Sequence, residues 1–311
     1  MRKFNIDFNK TLKPILIAYA AIFVVGIIWA LVFGVKLDIN FSGGAKVSYS
    51  YTGEIADKDI TAVVDEHINR EYTLSKSTSL AGDTQTFEIA LSGKNALSAK
   101  TQEEMTKALA EKFKDNDIEL YNSNSVSPTI AGSFFLKSLV AVLLTAIFVV
   151  IYVGIRFRKI GGVSAALTAL LALVLDVLIT FFACVFFRLQ IDSNYIAVVL
   201  TMLGYTLNDT IVIYDRIREN ERFNPDMEIG ALVNLSCNKV IIRNVVTTAT
   251  TMLAVGTIVV VSEIFGLTSL RTFAIPMLFG LLSGSITSLF VSGPVWVIWK
   301  RYRAKKAEKA K

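Results

Sequence analysis

An aspartate preceded by an asparagine, Asp209 and Asn208, lies inside an apolar stretch that is long enough to cross a lipid bilayer. An ionised carboxylate in the middle of a membrane helix costs about 2.5–3.5 kcal/mol on the insertion scale. Such a group is retained where it has a partner, a water path or a proton to carry. We therefore interpret Asp209 and Asn208 as candidate proton-coupling residues. The alternative is that they only hold two helices together.

Arg243 stands at the expected start of the fifth apolar stretch, and Thr247, Thr250 and Thr251 follow it at helical spacing. An arginine with this row of hydroxyl groups could reach Asp209 or organise a file of water molecules. The alternative interpretation is that Arg243 extends to the lipid headgroups while the threonines bond their own backbone.

Asp176 lies midway along the third apolar stretch and is a further candidate for proton coupling. Two aspartates on separate spans could also form an intramembrane aspartyl protease. Residues 206–208 before Asp209 lack the Gly-x-Gly element that such proteases carry, and the two aspartates lie at different depths. We therefore expect that the chain is not an enzyme.

The composition is typical of a membrane protein. The chain is 53% hydrophobic and 19% charged, against about 45–50% and about 25% in soluble domains. Its six expected spans are 14–35, 134–155, 163–187, 195–214, 245–261 and 273–299. The first is too long for the apolar region of a signal peptide, so we interpret it as an uncleaved anchor.

The orientation follows from the distribution of lysine and arginine. Nineteen of these residues fall at the two termini and in the loops 156–162 and 215–244, whereas the opposite short loops hold only Arg188 and Arg271. Both termini are therefore expected in the cytoplasm. The net charge of +6 reflects this topology, and we expect no nucleic-acid partner. The polar run with Asp215, Arg216 and Arg218 marks the cytoplasmic boundary of the fourth span.

The segment 36–133 is predicted to be an extracytoplasmic α+β domain. Strands are expected at 45–51, 72–80, 84–91 and 117–121, with a hairpin turn at 81–83 and helices at 56–70 and 98–113. This order, βαββαβ, is that of a ferredoxin-like domain. The complete expectation is a polytopic α-helical membrane protein with this domain after its first span.

The remaining parts of the chain follow from the spans. They are a cytoplasmic N-terminus at 1–13, a five-helix bundle at 134–299 with a cytoplasmic loop at 215–244, and a basic tail at 300–311. In the last span Gly280, Gly284 and Ser288 recur every four residues, a spacing that lets another helix approach closely. Cys184 lies in an apolar run and Cys237 in the expected 215–244 loop, so we predict no disulfide, metal or cofactor.

Four motifs resemble one family of membrane proteins. Residues 204–220 (GYTLNDTIVIYDRIREN) closely resemble the fourth-span signature of SecF, a subunit of the bacterial protein-export machinery. The similarity extends to residues 38–45 (DINFSGGA), 176–180 (DVLIT) and 243–251 (RNVVTTATT). A histidine commonly precedes the third-span aspartate in this family, whereas Leu175 stands there in this chain. No proton-handling role is inferred for that position.

The resemblance implies a function and its partners. SecF-like chains are half of a twelve-span unit related to resistance-nodulation-division transporters, and a SecD-like chain is the other half. By this likeness the chain would lie in the bacterial cytoplasmic membrane and work beside a SecYEG-like channel. It would use the proton gradient to promote movement of exported polypeptide, with Asp209 and Arg243 as the proton-coupling residues.

Two alternatives use the same residues. A proton-coupled small-molecule exporter of the resistance-nodulation-division type would need a larger outer domain or a second half within the chain, and the sequence contains neither. A passive assembly factor would use its polar residues only to hold helices together.

Overall fold

The computed structural model describes residues 6–68, 72–78, 85–92 and 97–309. Within these ranges six helical segments are long and apolar enough to cross a membrane. The first, α1, spans Phe8–Phe33 and leads through the short helix α2, Ile39–Ser42, into the α+β domain between the first and second spans. This domain is called the outer domain here, after its predicted location. The domain's elements follow in the order β1 Gly44–Tyr51, α3 Asp57–His67, β2 Thr73–Thr78, β3 Gln85–Ser92, α4 Ala99–Lys112 and β4 Glu119–Val126.

The membrane bundle contains the other five segments. They are α5 Pro128–Arg156, α6 Gly162–Phe186, α7 Ser193–Phe223, α8 Ile229–Ile264, and a last segment made of α9 Thr268–Thr287, a π-helical turn at Ser288–Ser292 and α10 Gly293–Glu308. The π turn has a local cause, because Pro294 lacks a backbone N–H and its ring would clash with the carbonyl four residues earlier. π turns of this kind occur frequently at functional sites.

Two helix starts follow directly from the sequence. Ser127 accepts a hydrogen bond from the N–H of Ile130 at the start of α5, where Pro128 occupies a first-turn position. Asp192 accepts from the N–H groups of Asn194 and Tyr195 at the start of α7, at 2.9 and 3.2 Å. These caps satisfy donors that a helix end leaves unpaired.

The outer domain is a four-stranded antiparallel sheet in the order β2-β3-β1-β4, with α3 and α4 between its strands in the chain. Val47 on β1 stands opposite Ile89 on β3 and Ser123 on β4. Its core contains the fully buried side chains of Val47, Ile89, Met105 and Leu109. The βαββαβ order and the expected fold class are confirmed. The predicted turn at 81–83 lies outside the described residues.

The largest departure from the sequence prediction concerns the expected loop 215–244. Helix α7 continues to Phe223 and α8 begins at Ile229, so only residues 224–228 connect them. Hydropathy marks where the hydrocarbon ends, whereas the helices continue past it into a polar region. Arg243 therefore lies in the interior of α8 instead of at its start. Cys237, expected in that loop, is fully buried in the same helix.

Helix α9 occupies the centre of the bundle, where it packs against α6, α7 and α8. At its continuation, the buried indole of Trp296 donates a hydrogen bond to Ser164 on α6 at 3.1 Å. Every candidate residue within the spans lies on one of these four segments, so their packing determines the site.

Candidate functional site

Asp209 lies where α7, α8 and α9 meet. On α7, Thr210 shares a 3.2 Å hydrogen bond with Ser288 of the π turn, while Tyr205 donates to Thr251 of α8 at 3.1 Å. With 3.6 residues per turn, the direction of Asp209 falls between these two contacts. Its side chain is 5% exposed, and its Oδ2 atom has no hydrogen-bond partner in the described part of the chain.

Asn208 points in a different direction from its neighbour. Its side chain is exposed and forms no hydrogen bond to the described residues. Thr201 and Gly204 are exposed as well, so these three positions form a polar and small-residue stripe on the outer face of α7. Asn208 therefore belongs to the bundle surface, and only Asp209 belongs to the junction.

Arg243 does not contact Asp209 directly. Its side chain is exposed and forms no ion pair among the described residues, although the guanidinium still attracts the Asp209 carboxylate over a longer distance. The hydroxyls of Thr247 and Thr251 donate to carbonyls one turn earlier on α8, at 2.8 and 3.0 Å. Thr250 also donates to carbonyls of its own helix. These contacts match the alternative interpretation of the threonine row.

Asn244, a residue that the sequence analysis did not single out, is buried beside this junction. Its Oδ1 atom lies 3.5 Å from the hydroxyls of both Thr248 and Ser285, and its Nδ2 atom has no partner among the described residues. The available signal was its place directly after Arg243, as a second polar residue between the apolar residues 241–242 and 245–246.

Asp176 on α6 is buried in a hydrogen-bonded cluster. Its Oδ1 atom accepts a 2.5 Å hydrogen bond from Ser283, and Thr287 lies 2.9 and 3.1 Å from its two oxygens. Ser283 also shares a 2.8 Å hydrogen bond with the hydroxyl of Tyr19. The cluster therefore joins α1, α6 and α9. Asp176 and Asp209 share no hydrogen bond in the described structure.

Ion pairs organise the polar end of α7. Asp215 lies 2.7 Å from Arg218 and 3.1 Å from Arg156 at the end of α5, while Arg216 pairs with Glu219 at 2.6 Å. Asp215 thus links the end of α5 to α7 just beyond the apolar part of the bundle.

The small residues of α9 lie at close helix contacts. A Cβ atom at Gly280 would come within 2.6 Å of Thr180 on α6, and one at Gly284 within 2.4 Å of Thr206 on α7. Ser288, the next member of the stripe, is the first residue of the π turn and contacts Thr210. The stripe thus lets α6 and α7 approach the central helix.

Comparison with known proteins assigns the family. A family model described as "Protein export membrane protein SecD/SecF, C-terminal" matches residues 105–302. The chain is 32% identical to "Protein translocase subunit SecF" of Alicyclobacillus acidocaldarius, over 92% of this chain and 90% of that one. It is also 32% identical to "Protein translocase subunit SecDF" of Bacillus subtilis, over 96% of this chain and 39% of that longer one.

The fold has a counterpart among solved structures. A crystal structure of SecDF, a translocon-associated membrane protein from a Thermus species, superposes with a TM-score of 0.78 at 24% identity. The superposition covers 96% of this chain and 39% of that chain. The family match and the extent of the similarity together show that the chain belongs to the SecD/SecF family of protein export membrane proteins.

Proposed function

We propose that this multi-pass membrane protein acts in the Sec pathway as a SecF-like subunit. With a SecD-like partner it uses the proton motive force to promote translocation of polypeptides across the cytoplasmic membrane. The relatives named as SecF translocase subunits support the pathway. In this proposal the chain catalyses no covalent reaction, and both termini are cytoplasmic.

One observation carries the proton-coupling part of the proposal. Asp209 is a buried carboxylate at a three-helix junction, and one of its oxygens is unpartnered within the described residues. A buried polar group without a partner is costly, more so when it is charged. Proton uptake would remove the charge and proton release would restore it. The energy of the junction would therefore change with each proton.

The groups near Asp209 determine how the helix packing responds to a change of charge on this residue. Ionised Asp209 attracts the Arg243 guanidinium, whereas neutral Asp209 does not. Thr210, next to Asp209, contacts Ser288 in the π turn, where the helix geometry is already irregular. A change of charge at Asp209 would therefore favour a different packing of α7 against α8 and the π turn. One charge moved through 100 mV supplies about 2.3 kcal/mol.

The exposed polar and small-residue stripe on α7 supports the proposal that a SecD-like partner binds this chain. Thr201, Gly204 and Asn208 would face lipid in an isolated chain, and an amide side chain at that depth is unfavourable there. A second helix against this face would bury Asn208 and use the small residue for close approach. The B. subtilis relative and the Thermus structure, both named SecDF, carry the matching region within a longer chain.

The proposal is tested by measuring polypeptide translocation into inside-out membrane vesicles that contain the SecD-like partner and the SecYEG-like channel. We expect a proton gradient to accelerate completion of translocation after the ATP-driven step, and we expect this acceleration to disappear when the chain is absent. An acceleration that persists without the chain contradicts the proposal. Gradient-driven efflux of small molecules by the purified chain would favour the exporter, and insensitivity to uncouplers would favour the assembly factor.

A further inference from the structure

Two segments of the chain are hydrogen-bonded to each other at the end of the bundle next to the outer domain. One is the linker 34–38 between α1 and α2, and the other is the loop 187–192 between α6 and α7. The N–H of Ile191 donates to the carbonyl of Lys36 at 2.8 Å, and the N–H of Asp38 donates to the carbonyl of Ile191 at 3.0 Å. The two segments therefore form a parallel β-bridge. This contact is called the linker–loop joint.

Arg188 reinforces the joint with its side chain. Its guanidinium donates to the carbonyls of Phe33 and Gly34 at the end of α1, the second at 3.0 Å. Carbonyls at the end of a helix lack partners within it, so the loop caps α1. Nearby, the side-chain amide of Gln190 donates to the carbonyl of Leu37 at 3.3 Å. The backbone of Arg188 has a φ of +55°, and a conformation that is uncommon for a non-glycine residue persists where the surrounding contacts fix it.

The linker is also fixed on the side of the outer domain. Asp38 is buried and caps α2, where its Oδ1 atom accepts a 2.9 Å hydrogen bond from the N–H of Asn40. Its Oδ2 atom lies 3.8 Å from the ammonium of Lys46 on β1. The ring of Phe41 in α2 packs against that of Phe134 in α5, with 5.3 Å between their centres. The joint is therefore continuous with the first strand and with α5.

Two glycines complete this connection. Gly43 has a φ of +74°, and a Cβ atom there would come within 3.1 Å of Pro128 at the start of α5. A Cβ atom at Gly44 would come within 1.9 Å of the carbonyl oxygen of Leu91 on β3. The motif at residues 38–45 thus packs the root of the outer domain closely against the joint and α5.

The position of the loop gives the joint its significance. The loop 187–192 connects α6, which carries Asp176, to α7, which carries Asp209. A displacement of either helix would move the loop, and the hydrogen bonds of the joint would pass this movement to the linker. Contiguous hydrogen bonds and packed side chains are the physical means by which such coupling travels.

We propose that the linker–loop joint transmits movements of α6 and α7 to the outer domain, with Arg188 as the positioning residue that keeps the loop attached to the linker. The transmission rests on the proposed function, because there the charge of Asp209 drives the movement. The attachment of the outer domain does not depend on that function. If Arg188 only capped α1, its removal would destabilise α1 without releasing the outer domain.

The first test measures whether the joint holds the outer domain. Spin labels are placed at Tyr121→Cys on β4 and Leu253→Cys on α8, where the native side chains are exposed. The native Cys184 and Cys237 are buried. The distribution of distances between the labels is measured by pulsed electron paramagnetic resonance on the full chain in nanodiscs.

The distance measurement compares four variants. Arg188→Gln removes the guanidinium, Arg188→Lys keeps a cationic donor, and Gln190→Ala removes only the longer side-chain contact. The matched control is Arg271→Gln, because Arg271 lies at the same end of the bundle but pairs with Glu263 of α8 at 2.9 Å.

We expect one narrow population of distances in the unsubstituted chain and in Arg271→Gln. Arg188→Gln should add a second population at a different distance, Gln190→Ala should broaden the first, and Arg188→Lys should restore most of the native distribution. An unchanged distribution in Arg188→Gln would overturn the proposal even if the unfolding temperature fell, because a cap on α1 alone gives that result. An equal change in Arg271→Gln would also overturn it.

The second test measures transmission by gradient-dependent translocation in the vesicles described above. Arg188→Gln should lose most of the acceleration produced by the gradient, and Arg271→Gln should keep it. Full acceleration in Arg188→Gln, together with a second population of distances, would show that the joint does not transmit movement and would overturn the proposal. An unsubstituted chain that gives no acceleration would contradict the proposed function instead, and the distance measurement would still decide whether the joint holds the outer domain.

Discussion

Two hydroxyl groups of α9 hold the carboxylate of Asp176, whereas one oxygen of Asp209 has no partner in the described structure. The two residues are both buried aspartates in spanning helices, but their surroundings differ in kind. Hydrogen bonds fix Asp176 to Ser283 and Thr287 and so join α6 to α9. Asp209 lacks that fixation, which is the property that a group needs if it is to change its protonation state and its interactions.

Because the hydrogen bonds to Asp176 join α6 to α9, we predict that the variant Thr287→Val is less stable than the unsubstituted chain. The substitution removes a hydroxyl that lies 2.9 and 3.1 Å from the two carboxylate oxygens and leaves them short of a donor. We expect the free energy of unfolding to fall by about 1–3 kcal/mol. Thermal unfolding of the purified chain measures this, with Thr287→Ser as a control that retains the hydroxyl. Equal unfolding temperatures for the two variants would contradict the assignment.

At the residue scale the sequence identified the types of the candidate residues but not their contacts. Asp209, Asp176 and Arg243 stood out because lipid tolerates few charged groups. The polar residues around them did not stand out. Ser283, which donates to Asp176, and Asn244, which lies near Ser285, are ordinary residues in the sequence, and only the packing of α9 against α6 and α8 gives them these contacts. Helix crossing is a tertiary property, and a single sequence does not contain it.

The central helix α9 depends on residues without side chains. Gly284 of α9 lies against Thr206 of α7, where a Cβ would come within 2.4 Å of the threonine oxygen. Gly256 of α8, by contrast, has open space around the same position. The two glycines therefore differ in their surroundings, although both lie inside long helices.

This difference predicts opposite effects for two Gly→Ala substitutions. Gly284→Ala should reduce the free energy of unfolding by about 1–3 kcal/mol because the packed helices must separate. Gly256→Ala should leave it unchanged or raise it by up to about 1 kcal/mol, because alanine favours the helix and meets no neighbour. Thermal unfolding of both variants in detergent checks this. A loss in Gly256→Ala as large as that in Gly284→Ala would show that the contact with Thr206 is not the cause.

A polar contact between the start of α8 and α10 predicts a pH dependence. The Arg301 guanidinium donates to Glu228 at 2.6 Å, and this hydrogen bond lowers the pKa of the Glu228 carboxyl below its ordinary value of 4.5. Because the folded-state pKa is depressed, the pair stabilises the chain above pH 4.5, and the effect is lost as the pH falls through the lowered value.

The variant Glu228→Gln tests that dependence. We expect the variant to be less stable than the wild type at neutral pH by no more than about 1 kcal/mol, since the pair is exposed to solvent. The difference in unfolding temperature should shrink as the pH falls below 4.5. Glu308→Gln, at the end of α10, is the control and should show no such difference. A Glu228→Gln difference that stays constant across this range would contradict the ion-pair explanation.

At the element scale, apolar runs predicted the six spans and alternation predicted the strands of the outer domain. The helix ends near 223 and 229 were not predictable, because residues such as Arg218 and Lys239 form helix in water as readily as apolar residues do in lipid. For the same reason the sequence analysis placed Arg243 at the start of its helix, whereas Arg243 lies in the interior of α8. The strand β4 runs to Val126, beyond the predicted 117–121, because pairing with β1 supports polar residues that have no apolar pattern of their own.

For the whole molecule, the distribution of charge predicts which side each part faces. The outer domain should be accessible from outside the cell and the C-terminal helix from the cytoplasm. Tyr121 on β4 and Tyr302 on α10 are 72% and 68% exposed, and the native Cys184 and Cys237 are buried. The two tyrosine positions are therefore suitable for cysteine labelling.

We expect a membrane-impermeant maleimide to label Tyr121→Cys in intact cells and to label Tyr302→Cys only after permeabilisation. The unsubstituted chain, whose two cysteines are buried, is the control for background labelling. The reverse pattern would show that the chain is inverted in the membrane relative to the proposed topology.

The central claim is that Asp209 couples the proton gradient to polypeptide movement, and gradient-dependent translocation in inside-out vesicles tests it most directly. Asp209→Asn removes the titratable group with little change in shape, while Asp209→Glu retains a carboxylate. We predict that Asp209→Asn abolishes the acceleration produced by the gradient but leaves the ATP-driven step intact, and that Asp209→Glu retains part of the acceleration. Full gradient-dependent acceleration in Asp209→Asn would contradict the account.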